Sequence, residues 1–215
     1  FDTPKPTRLI NRILQIASHK DSIILDFFSG SATTAHATMQ LNAEDGGNRK
    51  FIMVQLPELL DAKSEAYKDG YRTICDIGEE RIRRAGEKIK AELVEKQQKS
   101  GMLDENVVDP ESLDIGFKVL KLDTSNIREW NVDFEDLEGK LDLYDTLFIE
   151  GRSELDVVYE IMLKQGLELT YPIETFEVNG QTVYDIAFGS LFICLSQKIT
   201  TDIAQAIIAR RDEHG

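Results

Sequence analysis

Apolar side chains recur at helical spacing near the start of the chain. Leu9, Ile10, Ile13, Leu14 and Ala17 share one stripe, which predicts a helix over residues 4–19, with Pro4 and Pro6 suited to its beginning. The pattern then changes. "SIILDF" (22–27) and "FIMVQL" (51–56) are apolar runs without alternation, the mark of strands buried on both faces. Between them, residues 32–42 return to helical spacing, and "NAEDGGNRK" (42–50) carries turn chemistry. Strand, helix and strand together take about 35 residues, the size of a parallel crossover.

Residues 57–72 are polar and loop-like, with a short helical piece around Ser64 to Tyr67. Thr73 and Asp76 have the spacing of a capping box. A long helix follows to about Gln98, with Ile74, Ile82, Ala85, Ile89 and Leu93 facing inward. "KSGMLDENVVDPES" (99–112) reads as a linker. Beyond it, "FKVLKLD" (117–123) alternates like a strand, and residues 153–165 read as a helix from the box Ser153/Asp156 to a stop at Gly166. "TFEVNGQTVYDIAF" (175–188) is a hairpin around Asn179–Gly180. "SLFICL" (190–195) is a third strand, and Thr201 to Arg211 a final helix. The expected class is α/β, with a parallel unit in residues 1–98, a linker in 99–112 and a smaller α+β domain in 113–215. No repeat or low-complexity segment is visible.

Composition narrows the chemistry. The 215 residues are 41% hydrophobic and 30% charged, an ordinary globular balance. The apolar runs are far too short to span a membrane, and no signal peptide is visible. The chain begins at Phe1 inside what reads as a motif, so a piece of a longer protein is expected. A net charge of −14 argues against this piece gripping DNA or RNA unaided. Arg81, Arg83, Arg84 and Lys88 are local exceptions. They alternate with Glu79, Glu80, Glu87 and Glu92 and read as a solvated helix face laced by i,i+4 pairs. Cys75 and Cys194 offer neither a disulfide framework nor zinc spacing, so no metal is expected and a reducing cytoplasm is. His19, His36 and His214 do not cluster with acids. His36, in the helix after the glycine turn, reads as packing or helix surface, with a ligand contact as the alternative.

The most informative stretch is "ILDFFSGSATTAHA" (24–37). In a parallel sheet, ligands bind beyond the carboxyl ends of the strands, where the start of a helix exposes unpaired amides that favour an anion. Gly30 lets a ligand approach the backbone, and Ser31, Thr33 and Thr34 add short hydroxyls. Asp26 is an acceptor suited to an ammonium. Ammonium plus carboxylate is an amino-acid head group. The turn lacks G-x-G-x-x-G and a P-loop lysine, so a nucleotide phosphate fits less well. On physics alone, an ordinary strand-to-helix connection explains the turn equally well.

"DFFSGSATTAHA" resembles motif I of the beta-class amino-methyltransferases of DNA, whose pattern is close to D-x-F-x-G-S-G-T-T. Asp26, Phe28, Gly30, Ser31, Thr33 and Thr34 match, and Ala32 stands where glycine is usual. Upstream, "FDTPKPTRLI" (1–10) resembles their motif X. "NAEDGGNRKFIMVQLPE", "TICDIGEERIRRAGEKIK" and "DIGFKVLKLDTSNIREW" (114–130) are similar to the modification (Mod) subunits of type III restriction–modification systems, which methylate adenine N6. The resemblance covers most of the chain.

It implies a partial Rossmann-like, S-adenosylmethionine-dependent methyltransferase sheet carrying motifs X, I and II in residues 1–98. Asp26 and the turn of Phe28, Ser29, Gly30, Ser31, Ala32, Thr33 and Thr34 would hold the methionine end of S-adenosylmethionine. Asp2, Thr3, Pro4 and Lys5 would close the other side. The residue at the end of the second strand would hold the ribose; relatives place an acid there, and this chain has Gln55, with Glu58 three residues on. Alternation suggests that one of Phe27 and Phe28 packs into the core and the other, Phe28, lines the crevice. The family's Asp/Asn-Pro-Pro-Tyr/Phe motif does not occur in the sequence, and no catalytic residue is assigned. In the beta order that motif and the target-recognition region precede motif X. The chain alone is therefore expected to be inactive and to bind cofactor weakly at best. In the parent, the resemblance implies DNA, a restriction subunit and a second Mod copy as partners. Two rivals stay open: a nucleotide-binding oxidoreductase, and an assembly module built on residues 113–215 that dimerises the subunit or docks a restriction partner.

Overall fold

The structure, a computed structural model, describes residues 3–100, 108–127 and 148–214. Phe1, Asp2, residues 101–107 of the expected linker and residues 128–130 of the 114–130 stretch lie outside the described residues. The chain divides into two compact units, Phe1–Phe117 and Lys118–Gly215.

The first unit runs α1 (Thr7–Ala17), β1 (Ile23–Asp26), α2 (Thr33–Asp45), β2 (Lys50–Met53), α3 (Glu65–Lys68) and α4 (Ile74–Ser100). β1 and β2 pair in parallel, from Ile23 opposite Lys50 to Asp26 opposite Met53, with α2 as the crossover that the pattern predicts. α2 carries no single apolar stripe because it is enclosed on two sides. Ala35 and Met39 pack with Ile82, Ala85, Ile89 and Leu93 of α4. Ala37 and Leu41 pack with Leu14 and Ile10 of α1 and with Ile24. Small alanines let all three helices approach closely.

Both strands differ from expectation. Phe51 and Met53 turn towards the helices and are partly buried, as is Ile24. Ile23, Leu25 and Ile52 lie on the opposite face, each more than half exposed at 65%, 59% and 51%. An unbroken apolar run implies two covered faces; among the described residues the helices cover one. α1 splits similarly, with Ile10 and Leu14 inward and Leu9, Ile13 and Ile16 exposed.

α2 also runs past the expected Leu41–Asn42 to Asp45, ending at left-handed Gly46. The residues expected as plain turn include a buried arginine. Arg49 bonds Ser18 Oγ at the end of α1 (3.0 Å) and pairs with Asp45 at the end of α2 (3.0 Å). Its backbone N–H donates to Asn42 Oδ1, and its carbonyl accepts from Asn42 Nδ2. Burial pushes the Asp45 carboxyl up, but its bonds to Arg49 and to the Gly47 amide outweigh this and hold it below the usual range.

Ser64 caps α3. The Thr73/Asp76 box forms: Asp76 N–H donates to Thr73 Oγ1 (3.2 Å) and Thr73 N–H to Asp76 Oδ2 (2.9 Å). Leu113, Ile115 and Phe117, read from sequence as the start of a second domain, pack on the α4 core. Gly86 makes room for them, since a Cβ there would sit 2.9 Å from Ile115 Cβ.

Among the described residues, the strand expected at 117–123 does not form: the segment joins no ladder, and Val119, Leu120 and Leu122 are exposed. Alternation becomes a strand only where an edge is present to bond it. α5 (Glu154–Lys164) starts at the Ser153/Asp156 capping box and ends before left-handed Gly166, as predicted. β3 (Ile173–Val178) and β4 (Gln181–Ile186) form the hairpin, with Asn179 and Gly180 both at positive φ, as a tight primed turn demands. β5 (Leu191–Ile193) pairs antiparallel with β4. Val158 and Met162 of α5 pack on Tyr184, Ile186 and Ile193. α6 (Thr201–His214) sends Arg210 to the buried carboxylate of Asp185 (3.0 Å). Among the described residues, no helix is long and apolar enough to cross a membrane.

Candidate functional site

The last residue of β1 organises the turn that follows it. Asp26 Oδ1 accepts the Phe28 N–H (3.2 Å), and Oδ2 accepts the Thr34 hydroxyl (2.6 Å). Gly30 and Ala32 between them take left-handed conformations, at φ 50° and 57°. A Cβ at Gly30 would meet nothing within 4 Å, so this stretch of backbone is open on that side. Ala32 occupies the N-cap position of α2 and offers no capping side chain. Among the described residues, no acceptor bonds the amides of Ser31, Thr33 or Thr34. An uncapped helix start of this kind is a ready-made anion site.

The end of β2 joins the turn. Val54 N–H donates to Asp26 O, and Ser29 N–H to Val54 O. That continuation of the ladder brings Gln55 beside Gly30. Gln55 Oε1 accepts the Gly30 N–H (2.8 Å), and Nε2 donates to Leu56 O (3.2 Å). One of the expected free amides is thus taken by a side chain of the site itself.

Phe27 and Phe28 need correction. Neither packs into the core. They are 63% and 79% exposed and touch each other with ring centroids 5.1 Å apart. β1 ends at Asp26, so strand alternation no longer governs them, and both rings stand in solvent beside each other. Thr3, Pro4 and Lys5 are exposed ahead of α1, whose inner face lies along α2.

The turn also has a back wall that sequence reasoning missed. Cys75, Gly78 and Arg81 are spaced i, i+3, i+6 on α4. The Cys75 thiol contacts the Gln55 carbonyl (3.6 Å), and burial, with Asp76 and Glu79 nearby, pushes that thiol up. A Cβ on Gly78 would lie 3.3 Å from the Gly30 carbonyl oxygen. Arg81 Nη1 donates to Ser31 Oγ (3.1 Å) and Thr33 Oγ1 (2.8 Å). Arg83, Arg84 and Lys88 pair with Glu79, Glu80 and Glu92 as the charge pattern suggests. Arg81 does not belong to that solvated face. The available signal was the glycine inside the helical stretch "DIGEERIRR", which marks a close approach. On the neighbouring helix, His36 is half-buried and its Nδ1 lacks a partner among the described residues. Burial pushes its pKa down, and Arg81 and Lys88 add to this.

Residues 1–93 match the family model described as "DNA methylase". Over 91 residues, 42% of the chain, the sequence is 53% identical to the type III restriction-modification enzyme StyLTI Mod subunit of Salmonella typhimurium, of which this is 14%. Over 99% of the chain it is 31% identical to the EcoPI Mod subunit of Escherichia phage P1, covering 30% of that protein. It is 30% identical, again over 99% of the chain, to the EcoP15I Mod subunit of Escherichia coli, covering 29%. The chain thus spans less than a third of the length of these relatives. The match to the DNA methylase model thus takes in the β1–α2–β2 unit and most of α4, and nearly the whole chain is similar to one stretch of type III Mod subunits.

Proposed function

We propose that this chain is the C-terminal, cofactor-binding part of a site-specific DNA methyltransferase of the type III Mod kind, which moves a methyl group from S-adenosylmethionine to adenine N6. The β1–α2–β2 unit is then part of a Rossmann-like sheet. The observation that carries this reading is the turn after Asp26. It sets unbonded amides of Ser31, Thr33 and Thr34 close to a carboxylate.

The residues present fit the cofactor's amino-acid end. The amides suit its carboxylate. Each Asp26 oxygen accepts one bond from the turn and keeps a further lone pair for an ammonium. Open space at Gly30 admits a ligand to the backbone. With Oε1 engaged on Gly30 and one N–H on Leu56 O, Gln55 meets a ribose through its remaining amide N–H, and Glu58, exposed three residues on, offers an acceptor. When bound, S-adenosylmethionine supplies an electrophilic sulfonium methyl. The part of this chain is to bind and orient, which lowers the barrier by proximity.

Flipping adenine out of the duplex and holding N6 require groups that this sequence does not contain, since it has no Asp-Pro-Pro-Tyr. Its net charge of −14 likewise suits a part that leaves DNA to the rest of the subunit. In the parent, the partners would be DNA, a restriction subunit and a second Mod copy, in the cytoplasm.

Amide NMR titration tests the reading. S-adenosylmethionine shifts the resonances of residues 26–34, NAD does not, and the chain alone transfers no methyl group to DNA. A turn unmoved at saturating S-adenosylmethionine, or measurable turnover by the chain, sinks it; a response to NAD instead favours the oxidoreductase. A second reading, an assembly module in residues 113–215, draws on the exposed Val119, Leu120 and Leu122. Sedimentation as a strict monomer counts against its self-association.

A further inference from the structure

Arg81 stands apart from the other cations of α4. Among the described residues no carboxylate pairs with it, whereas Arg83 and Arg84 are both ion-paired. Its Nη1 reaches across to two hydroxyls of the turn, Ser31 Oγ at 3.1 Å and Thr33 Oγ1 at 2.8 Å. The approach depends on Gly78, one turn earlier, whose missing Cβ lets the helix meet the Gly30 carbonyl.

The direction of these bonds is forced. A guanidinium has donors and no acceptor, so it cannot take a hydroxyl proton. Each hydroxyl therefore spends a lone pair on Arg81 and keeps its proton. Neither the Ser31 nor the Thr33 hydroxyl donates to any acceptor among the described residues. The result is a set of unspent donors, two O–H groups and the neighbouring amides, beside a positive charge. Such a set recognises an anion. The adjacent positive charge favours it over a neutral acceptor, because hydrogen bonds to an ionised oxygen are the stronger.

We propose that Arg81 is a positioning residue for carboxylate recognition: it holds the Ser31 and Thr33 hydroxyls as donors aimed at the carboxylate of an amino-acid-type cofactor. This rests on the reading of the turn as the S-adenosylmethionine cradle.

The test compares S-adenosylmethionine with its decarboxylated analogue, which keeps the sulfonium, adenosine and ammonium. Affinities come from amide NMR titration of the 215-residue chain, and thermal midpoints report folding. Arg81→Met weakens S-adenosylmethionine binding about ten- to a hundredfold, the scale of charge-assisted hydrogen bonds. It barely changes binding of the analogue, so the preference for the carboxylated ligand shrinks by the same factor. Arg81→Lys, a point donor in place of a fork, falls between. The double variant Ser31→Ala/Thr33→Val reproduces the loss, and adding Arg81→Met to it costs nothing more. A folded Arg81→Met protein with undiminished discrimination overturns the inference. So does an equal loss for both ligands, the result of a merely structural role. Wild-type protein that binds neither ligand overturns the cradle reading as well, whereas wild-type binding with an unaffected Arg81→Met variant overturns this inference alone.

Discussion

Thr34 Oγ1 donates a 2.6 Å hydrogen bond to Asp26 Oδ2, tying the first turn of α2 to the last residue of β1. Asp26 Oδ1 meanwhile holds the Phe28 amide. The carboxylate thus braces the turn from both sides, and the turn has its shape before any ligand arrives. Pre-organisation of this kind removes part of the ordering cost of binding.

Replacing Thr34 by Val keeps the shape of the side chain and removes the donor. The variant loses about 1–2 kcal/mol of stability, the usual cost of leaving a polar partner unsatisfied. Thr34→Ser restores most of it. Chemical denaturation of the two variants checks the difference.

Gly78→Ala separates binding from stability. Alanine favours the helix by about 1 kcal/mol over glycine. Its Cβ, however, would lie 3.3 Å from the Gly30 carbonyl, and backbone yields less readily than a side-chain tip. The expected thermal midpoint is close to wild type, with S-adenosylmethionine affinity reduced because the turn is displaced. Calorimetry and NMR titration of the same preparation check both halves.

Two substitutions test which face of the parallel sheet is covered. Met39 is fully buried between α2 and α4, and Met39→Ala costs about 2–5 kcal/mol through the cavity it leaves. Ile52 faces away from the helices, and Ile52→Lys changes stability by about 0.5 kcal/mol or less. Urea unfolding followed at the first unit distinguishes them. A large loss for Ile52→Lys means that this face is covered in the isolated chain.

Acid weakens the second unit through Glu160. Its carboxylate accepts from Ser125 Oγ (2.5 Å) and the Asn126 amide (2.6 Å) and pairs with Lys164 (2.8 Å). Burial pushes its pKa up, but these partners outweigh it and hold it at about 2, against an ordinary 4.5. A carboxyl depressed in the folded state takes its proton first in the unfolded state. The stability it contributes is complete above about pH 4.5 and is lost as pH falls towards 2. Glu160→Gln is less stable at neutral pH and shows a flatter acid limb, measured by denaturation across that range.

Local chemistry was legible where the signal lies within a few residues. The Thr73/Asp76 and Ser153/Asp156 boxes, the Asn179–Gly180 hairpin and the Gly166 stop all form where the sequence puts them. Each depends on a side chain bonding its own neighbourhood, or on a φ that glycine and asparagine tolerate. The strand at 117–123 failed because pairing needs an edge elsewhere, which alternation cannot supply. Phe27 failed because β1 ends one residue before it, and where a strand ends is set by its partner, which alternation does not show.

The sequence by itself determined the parallel crossover, because an apolar run, a helix-forming segment and a second apolar run within one short stretch leave few other topologies. It also marked the turn after Asp26, whose short polar residues declare themselves locally. Only tertiary structure decided that Gln55 holds the Gly30 amide and that Arg81, 48 residues beyond Thr33, leaves its helix's charge ladder to reach the turn. Both contacts join elements distant in sequence. Their geometry follows from the packing of β2 and α4 around α2, which residue periodicity does not encode.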